Sequence, residues 1–473
     1  MNKDKKLPQK KERRTLGAHL TSSDTFLKYI FPEIKGALYN HLWVDLYAGE
    51  GNLIFPILKS IPTEERNEFF TNHIFLSDVR DEMVKKSIEK AISLGISKPT
   101  ATANIIQRDN LNSFPKFLKK KKFPVYHITN PPYLYLGYIK KHPETQHYSK
   151  YFNRRNEGYQ DLYQIAMIND LRNQINNLIY IIPSNFLFGS YVSNKFRLDF
   201  LKHYKVIKMY IFEKKIFKFT GTNIIIAFFK RRLKPSLEPV HFHGQKFKKD
   251  GKVIERDYTL NPNYDYRAGS EFNEFLDHFQ AHEPLDASYY LQKKEVDDNK
   301  GKSEIEVINT SEYESNTYNR KVLKISEELK EKILKNQLYV RTVDTGSFEG
   351  RVGLYNIRED FNVDGIYVSG NTYRTSPIQI FLTPTIPGMD QELLRKYFNL
   401  MLEYFRTKLD SEFLTTYKYS NAKYTRKYLG LTQTRSLIKT FPGLSLHKKE
   451  REMFQTLIDH QKPKKIIKFL QEQ

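Results

Sequence analysis

The chain has 473 residues, more than the roughly 100–200 that one hydrophobic core normally serves, so two or more domains are expected. Its 77 Lys and Arg exceed its 54 Asp and Glu, and the formal charge of +23 favours nucleic acid as the partner over a compositional bias with no partner behind it. The lack of cysteine excludes disulfides, thiolate metal sites and thiol redox chemistry. A basic N-terminus with no apolar region, and no run of roughly 20 apolar residues, predict a soluble, cytoplasmic protein without a membrane partner; we predict no metal site.

The first half of the chain alternates short apolar runs with longer amphipathic segments, which predicts an α/β fold with a mostly parallel sheet. The predicted strands are rich in β-branched and aromatic residues: Leu42–Tyr47, Ile74–Asp78, a third through Ile105 and Ile106, Val125–Thr129, Leu178–Ile182, Val206–Phe212 and Asn223–Phe229. A helix is predicted over Leu53–Ser60. Regular spacing ends after Pro235, so we expect one domain over residues 1–240 and another over residues 241–473. The polar stretch Glu295–Ser315 predicts a surface loop or inner linker.

A glycine-containing turn follows the first predicted strand. Gly49 and Gly51 would let the backbone turn sharply and approach a ligand, while Asp45 at the strand end offers a carboxylate to a cation. A phosphate-binding loop is disfavoured because neither the Gly-Lys-Ser/Thr signature nor a third glycine at dinucleotide spacing is present. Taken alone, the motif also fits an ordinary strand-to-helix turn.

Carboxylates follow the next two predicted strands as well. Asp78 could accept hydrogen bonds from two ribose hydroxyls, and Asp109, followed by Asn110, could receive the amino group of an adenine ring. Each could instead be a helix cap. Because successive strands of a doubly wound sheet end in one crevice, Asp45, Asp78 and Asp109 together predict a nucleoside-binding site.

The motif Asn130-Pro131-Pro132-Tyr133 directly follows the predicted strand Val125–Thr129. An exocyclic amine on an aromatic ring is a poor nucleophile because its lone pair is delocalised. Carbonyl oxygens of the Asn130 side chain and the Pro131 backbone could accept its two N–H bonds and aim the nitrogen at a methyl donor. Pro131 and Pro132 would hold the loop rigid, and Tyr133 offers a stacking face worth about 1–3 kcal/mol per base. The alternative is an Asn-Pro turn with an accidental aromatic residue.

These motifs, in this order, resemble the amino-methyltransferases of DNA, especially the gamma-group adenine-N6 enzymes, over about residues 13–232. Further segments match the remaining motifs of that family: Gly17–Ser22, Asp161–Gln164, Ile181–Phe186 and Phe217–Asn223. The sequence departs from the family pattern at Ser22, where a proline is common, and at Tyr47, where phenylalanine often stands.

The resemblance implies a class I, Rossmann-like methyltransferase domain with a mostly parallel seven-stranded sheet and helices on both faces, followed by an α+β target-recognition domain. It also implies S-adenosyl-L-methionine as the cofactor and a base flipped out of the duplex, with Phe217 opposite Tyr133; Phe219 is the second choice, and core packing is the alternative for both. The residues expected to bind the cofactor are Thr21, Asp45, Tyr47, Gly49, Gly51, Asp78, Asp109, Asn110 and Asn130.

The C-terminal half, which we take to be large and basic, carries no catalytic constellation. Its segment Tyr417–Tyr428 interleaves cations with aromatic and amide side chains, which suits DNA contact as well as a solvated helix. The predicted DNA-binding residues are Lys418, Tyr419, Asn421, Lys423, Arg426 and Lys427. The run Lys119–Lys122 predicts an exposed turn rather than a phosphate clamp.

The sequence therefore predicts a site-specific, S-adenosylmethionine-dependent DNA adenine-N6 methyltransferase of a restriction-modification system. We expect a monomer that acts on double-stranded DNA, methylates without cleaving, and shares its site with a cognate endonuclease. The alternatives are transfer to another planar amine or amide, namely cytosine N4, an RNA base or a protein glutamine, and a catalytically dead DNA-binding relic.

Overall fold

The computed structural model describes residues 22–214, 216, 223–345, 350–372, 376–416 and 424–472. The chain divides into two compact units, residues 1–268 and 269–473. Among the described residues, no helix combines the length and apolar character that crossing a membrane would require.

A nine-stranded sheet organises the first unit, in the order β3-β2-β1-β4-β5-β7-β6-β8-β9. Its strands are β1 Leu42–Asp45, β2 Ile74–Asp78, β3 Ile105–Gln107, β4 Val125–Thr129, β5 Asn177–Pro183, β6 Tyr204–Phe212, β7 Ile224–Arg231, β8 Val240–Phe247 and β9 Val253–Leu260. Strands β1 to β5 pair in parallel, whereas β7 runs antiparallel to both β5 and β6. This is the mostly parallel, class I methyltransferase arrangement that the sequence predicts.

Helices cover both faces of this sheet. They are α1 Ser23–Tyr29, α2 Phe31–Ile34, α3 Phe55–Leu58, α4 Arg66–His73, α5 Asp81–Ser93, α6 Lys98–Asn104, α7 Leu136–Ile139, α8 Leu162–Asn173, α9 Asn185–Phe188 and α10 Asn194–Leu201. Shorter 3-10 turns occupy Lys35–Asn40, Lys116–Lys120, Pro143–Phe152, Arg154–Asn156 and Pro262–Tyr264. Alternate residues of each buried strand enter different cores: Val44 packs in one apolar cluster and Trp43 in the other.

The sheet has nine strands instead of the predicted seven, because the hairpin of β8 and β9 extends it beyond β6. Strand β8 pairs in parallel with β6 and antiparallel with β9. Val240 and Phe242 are buried while His241 and His243 are exposed, as in a strand with one solvated face. The first unit consequently ends at Ala268, later than the boundary at residue 240 that the loss of regular spacing suggested.

The second unit contains two four-stranded sheets, in the orders β10-β17-β14-β15 and β11-β16-β12-β13, and the short pair β18-β19. Its strands are β10 Asp286–Tyr289, β11 Leu291–Gln292, β12 Lys300–Glu314, β13 Thr317–Ile325, β14 Leu338–Arg341, β15 Gly353–Asn356, β16 Gly365–Val368, β17 Ile378–Thr383, β18 Thr415–Thr416 and β19 Lys427–Tyr428. Its helices are α11 Ser270–His278, α12 Lys293–Asp298, α13 Glu327–Leu334, α14 Ile357–Phe361, α15 Gly388–Lys408, α16 Leu431–Lys439, α17 Lys448–Asp459 and α18 Pro463–Gln471.

The prediction of a loop or linker over Glu295–Ser315 is wrong. This stretch contains the end of α12 and all of β12, which pairs with β13 along its length. Ile305 and Val307 are 2% and 0% exposed and point to the core, whereas Glu304 and Glu306 are more exposed and lie on the other face. A strand with a solvated, charged face has few apolar residues, so its composition resembles that of a loop.

The positive charge is concentrated in the first unit. Residues 1–268 contain 46 Lys and Arg against 25 Asp and Glu, a net charge of +21, whereas residues 269–473 contain 31 against 29, a net charge of +2. The expectation of a basic C-terminal half is therefore wrong for the unit as a whole.

Candidate active site

Strand β1 ends in a buried carboxylate. Asp45 is 1% exposed, and its Oδ1 accepts hydrogen bonds from Thr129 Oγ1 at 2.6 Å and from the Tyr47 backbone N–H at 3.0 Å. Burial raises the pKa of Asp45 to about 6, because desolvation outweighs these hydrogen bonds and the nearby His127. Near neutral pH this carboxylate is ionised and poorly compensated, which suits it to a cationic ligand.

The turn after β1 is tied to the end of β2. Gly49 and Gly51 have φ angles of 53° and 74°, in the left-handed region that glycine adopts at little cost. The Gly49 N–H donates to Asp78 Oδ2 at 2.9 Å, and the backbone N–H and Nε of Arg80 donate to Asp78 Oδ1 at 3.0 and 3.1 Å. The acid that the sequence assigned to ribose binding therefore also holds the glycine turn in place.

The loop after β3 contains Asp109 and Asn110. The Asn110 side-chain amide donates to the Leu46 carbonyl at 2.6 Å and to Ser77 Oγ at 2.9 Å, which fixes its orientation. Asn110 Oδ1 is buried and accepts no hydrogen bond from any described residue. A buried acceptor without a donor is costly, so a ligand N–H or O–H at this position would be stabilising.

Asn130 directly follows β4. The Tyr133 hydroxyl lies within hydrogen-bond distance of Asn130 Oδ1 and of the Ile181 carbonyl and shares its one proton between these acceptors, so the two ends of the tetrad are joined through their side chains. The next residue is held too, since the Leu134 N–H donates to Asp161 Oδ1 at 2.9 Å. Pro131 is buried and Tyr133 is half-buried, with its ring edge-on to Tyr163 at 6.4 Å.

A cavity of about 310 Å³ brings most of the predicted residues together. Its walls include Asp45, Tyr47, Gly49, Asp78, Asp109, Asn110, Asn130 and Pro132. Gly51, Pro131 and Tyr133 belong to the same loops but do not line it. Thr21, Phe217, Phe219, Lys418, Tyr419, Asn421 and Lys423 lie outside the described residues.

The sequence did not single out one wall of this cavity. His147, Tyr148, Lys150 and Tyr151, all from the 3-10 segment Pro143–Phe152, line it, as do Arg80 and Arg108. The segment is neither strand nor regular helix and matches no family motif. The only sequence feature that could have indicated this wall is its cluster of aromatic and basic residues.

A second missed feature is a buried polar network beneath the glycine turn. His127 Nε2 accepts a hydrogen bond from the Leu46 N–H at 3.3 Å, so the ring proton is on Nδ1, which donates to Asp170 Oδ2 at 2.6 Å. Tyr180 donates to the same Asp170 oxygen at 2.5 Å. His127 and Asp170 are each 1% exposed. The network ties β4, β5 and α8 to the backbone between Asp45 and Tyr47.

Two of the residues predicted to bind DNA are described in the second unit. Lys427 is 3% exposed, and its backbone N–H donates to Asp344 Oδ2 at 2.9 Å. Arg426 is half-buried and its Nε donates to the Asp344 carbonyl. Lys427 is therefore buried, which does not fit its prediction as a DNA-binding residue.

Comparison with known proteins gives a family match that lies within the first unit. Residues 30–217 match the family described as Eco57I restriction-modification methylase. Among solved structures, the Type IIL restriction-modification enzyme MmeI in complex with DNA matches with a TM-score of 0.52 and 13% identity, over 95% of this chain and 71% of that one. No curated protein sequence matches the chain significantly.

Weaker structural similarity connects the chain to other proteins. A modification subunit of a putative type I restriction enzyme from Vibrio vulnificus has a TM-score of 0.35 and 15% identity, and the match covers half of each chain. A putative class I S-adenosylmethionine-dependent methyltransferase from Listeria monocytogenes has a TM-score of 0.34 and 16% identity, over 48% of this chain and 66% of that one.

The family match and the fold agree with the chemistry of the cavity. S-adenosyl-L-methionine is the cofactor consistent with both, and the buried Asn110 acceptor and the carboxylates at the ends of β1 and β2 are groups that such a ligand can satisfy. Residues 30–217 are similar to the restriction-modification methylase family, and the unit that contains them has the class I methyltransferase fold.

Proposed function

We propose that this protein transfers a methyl group from S-adenosylmethionine to N6 of an adenine flipped out of double-stranded DNA, as the modification enzyme of a restriction-modification system. The observation that carries the proposal is the position of Asn130, at the carboxyl end of β4, in the wall of the same cavity as Asp45, Gly49, Asp78 and Asp109. A methyl donor and a planar amine would meet there.

The cofactor would be held through groups with complementary charge. Asp45 would face its cationic methionyl part, Asp78 its ribose hydroxyls, and Asp109 and Asn110 the polar edge of its adenine ring. When bound, S-adenosylmethionine supplies an electrophilic methyl group on a sulfonium centre.

The chain itself prepares the substrate nitrogen. Asn130 Oδ1 has two lone pairs and can accept from the substrate amine while it holds the Tyr133 hydroxyl. Together with the Pro131 carbonyl it would accept both amine N–H bonds, localise the nitrogen lone pair and fix its direction. Tyr133 would face the extruded base, with Phe217 as its predicted counterpart on the other side.

DNA as the substrate is supported by charge and by similarity. The net charge of +21 on residues 1–268 favours a polyanion, and the MmeI structure, with the higher TM-score of those compared, contains DNA. Residues 269–473 would then recognise the target sequence. A cognate endonuclease acting on the same site, and action as a monomer, belong to this proposal.

Product analysis tests the function. The protein is incubated with methyl-labelled S-adenosylmethionine and duplex DNA, which is then digested to nucleosides; we expect label in N6-methyladenine. N4-methylcytosine would overturn the base assignment, and label in RNA or protein alone would overturn DNA as the substrate. Calorimetry without any heat of cofactor binding would indicate a catalytically dead relic.

The Asn130→Ala variant tests the mechanism. Loss of one pre-aligned acceptor is expected to lower kcat by about 100-fold to 1000-fold or more. The dissociation constant for S-adenosylhomocysteine should stay within about threefold of the wild type. Asn173→Ala, at the end of α8 and outside the cavity, is the matched control. Unchanged turnover in Asn130→Ala would reject the mechanism.

A further inference from the structure

The 3-10 segment Pro143–Phe152 forms a wall of the cavity that no family motif accounts for. Tyr148 and Tyr151 both line the cavity and are partly buried, and their ring centroids lie 6.3 Å apart. The His147 and Tyr148 rings are in contact at an interplanar angle of 39°, with centroids 4.0 Å apart, and Lys150 lies 4.9 Å from the Tyr151 ring. The wall is thus a row of aromatic rings flanked by cations.

Tyr151 contacts the acid assigned to the adenine amino group. Its hydroxyl donates to Asp109 Oδ2 at 2.8 Å, while Asp109 Oδ1 accepts from the Asn112 N–H at 3.2 Å. Desolvation and the hydrogen bond to Asp109 both raise the pKa of Tyr151, so the hydroxyl remains a donor near neutral pH. The carboxylate is therefore held at both oxygens, and each oxygen retains acceptor capacity for a ligand N–H.

The neighbouring Asn110 makes the direction of Asp109 important. Asn110 Oδ1 is a buried acceptor with no donor in the described part of the chain, and the bonds from its amide group to Leu46 and Ser77 fix its position. An adenine amino group has two N–H bonds, and the loop presents acceptors on adjacent residues. A carboxylate that rotated away would leave one of the two ligand N–H bonds without an acceptor.

We propose that Tyr151 is a positioning residue that orients Asp109 toward the 6-amino group of the bound cofactor, and that Tyr148 packs against its adenine ring. The proposal rests on the cofactor assignment above and adds two residues outside the family motifs. Tyr151 would thereby determine selectivity for the amino group, whereas Tyr148 would contribute affinity irrespective of the substituent at that ring position.

Paired titrations distinguish the two roles. The dissociation constants of S-adenosylhomocysteine and of S-inosylhomocysteine, which carries an oxo group in place of the amino group, are measured by calorimetry. A hydrogen bond to a charged group contributes enough free energy to change a dissociation constant by about tenfold or more. The wild type should therefore bind the adenosyl compound more tightly than the inosyl compound by at least that factor. Tyr151→Phe should reduce this preference about fivefold or more, mainly by weakening the adenosyl compound.

The second variant and a control complete the test. Tyr148→Ala should weaken both compounds by a similar factor, about tenfold, and leave the preference unchanged. Tyr159→Phe is the matched control, because Tyr159 also donates to an aspartate, Asp199, at 2.8 Å but does not line the cavity. It should change neither constant, and thermal melting should show all three variants folded.

The outcomes separate this proposal from the proposed function. A wild type that binds neither compound would overturn the cofactor assignment itself. A wild type that prefers the adenosyl compound, with the same preference in Tyr151→Phe, would overturn only the role of Tyr151. Equal loss of preference in Tyr151→Phe and Tyr159→Phe would indicate a general structural effect and would overturn it too.

Discussion

The two units of the chain use buried polar groups differently. In the first unit, Asp45, Asp78 and Asn110 are buried, yet each lines the cavity. In the second unit, Gln379 is 0% exposed and bonds to the Ile366 N–H at 2.8 Å and to the Asn336 carbonyl at 2.8 Å, joining neighbouring segments of the same core. These buried polar groups of the first unit face a cavity, whereas Gln379 in the second unit joins parts of the core.

The two units also differ in net charge, and the charge of the second unit is unevenly distributed along its sequence. Residues 269–416 contain 18 Lys and Arg against 25 Asp and Glu, a net charge of −7, whereas residues 417–473 contain 13 against 4, a net charge of +9. Contact of the second unit with phosphates is therefore expected to concentrate near its C-terminal end.

The largest expected effect concerns a buried ion pair in the second unit. Arg406 donates to both oxygens of Asp344, at 3.0 and 3.2 Å, and Asp344 is 0% exposed. Arg406→Ala leaves that charge buried without its partner, so the free energy of unfolding should fall by about 3–5 kcal/mol in chemical denaturation. Arg351→Ala, which breaks a more exposed pair with Glu403, should cost less than about 1 kcal/mol. If the two variants lost the same free energy of unfolding, burial would not make the Arg406–Asp344 pair more important than the exposed pair.

Asp45→Asn should separate stability from function in the first unit. Because the native pKa of about 6 lies above the usual value of about 3.9, the native state binds more protons between these values, and wild-type stability falls as pH rises through that window. The Asp45→Asn variant does not lose stability in this way. Its free energy of unfolding should therefore exceed that of the wild type by about 2–3 kcal/mol at pH 8 and equal it near pH 4.

Cofactor titration completes the Asp45 prediction, because the variant should bind S-adenosylmethionine more weakly. Asp81→Asn, at a carboxylate 55% exposed, is the control and should change neither quantity. A variant less stable than the wild type at pH 8 would show that the buried charge is compensated.

Gly51→Ala should damage the first unit through backbone conformation. The φ angle of 74° costs about 1–2 kcal/mol for any residue with a Cβ, and the added atom would lie 2.2 Å from the Phe55 ring. Thermal melting should show this loss together with weaker cofactor binding. Gly36→Ala should be close to neutral, because outside its own turn no atom of the described residues lies within 4 Å of the added Cβ. A neutral Gly51→Ala would mean that the turn tolerates another conformation.

The smallest expected effect probes the basic end of the second unit. Lys464 and Lys465 are exposed on α18, and reversal of both to Glu should weaken DNA binding by about tenfold at low salt and reduce the slope of log affinity against log salt by about 2. The same double reversal at Lys293 and Lys294, exposed on α12 in the acidic part, is the control. If both double variants weakened DNA binding to a similar extent, DNA contact would not be concentrated at the basic end of the second unit.

Much of the first unit was predictable because its signals are local. Strand β2 and strand β4 have the predicted bounds, and acidic or amide residues at strand ends lie together because parallel strands end at one edge of a sheet. The hairpin of β8 and β9 and the strand β12 were missed because a half-solvated strand lacks a continuous apolar run. The Tyr148 and Tyr151 wall was missed because its segment reaches the cavity only after the chain has folded.

The sequence by itself determined the class of fold, the order of the motifs and the chemistry available at each strand end, since strand patterns, glycine turns and the Asn-Pro-Pro-Tyr motif depend on neighbouring residues. Tertiary structure alone decided which distant residues share a hydrogen bond, such as Tyr151 with Asp109 and His127 with Asp170. It also decided which lysines are accessible, with Lys427 buried and Lys464 exposed. Burial and partnership are properties of the packed chain, and no local pattern encodes them.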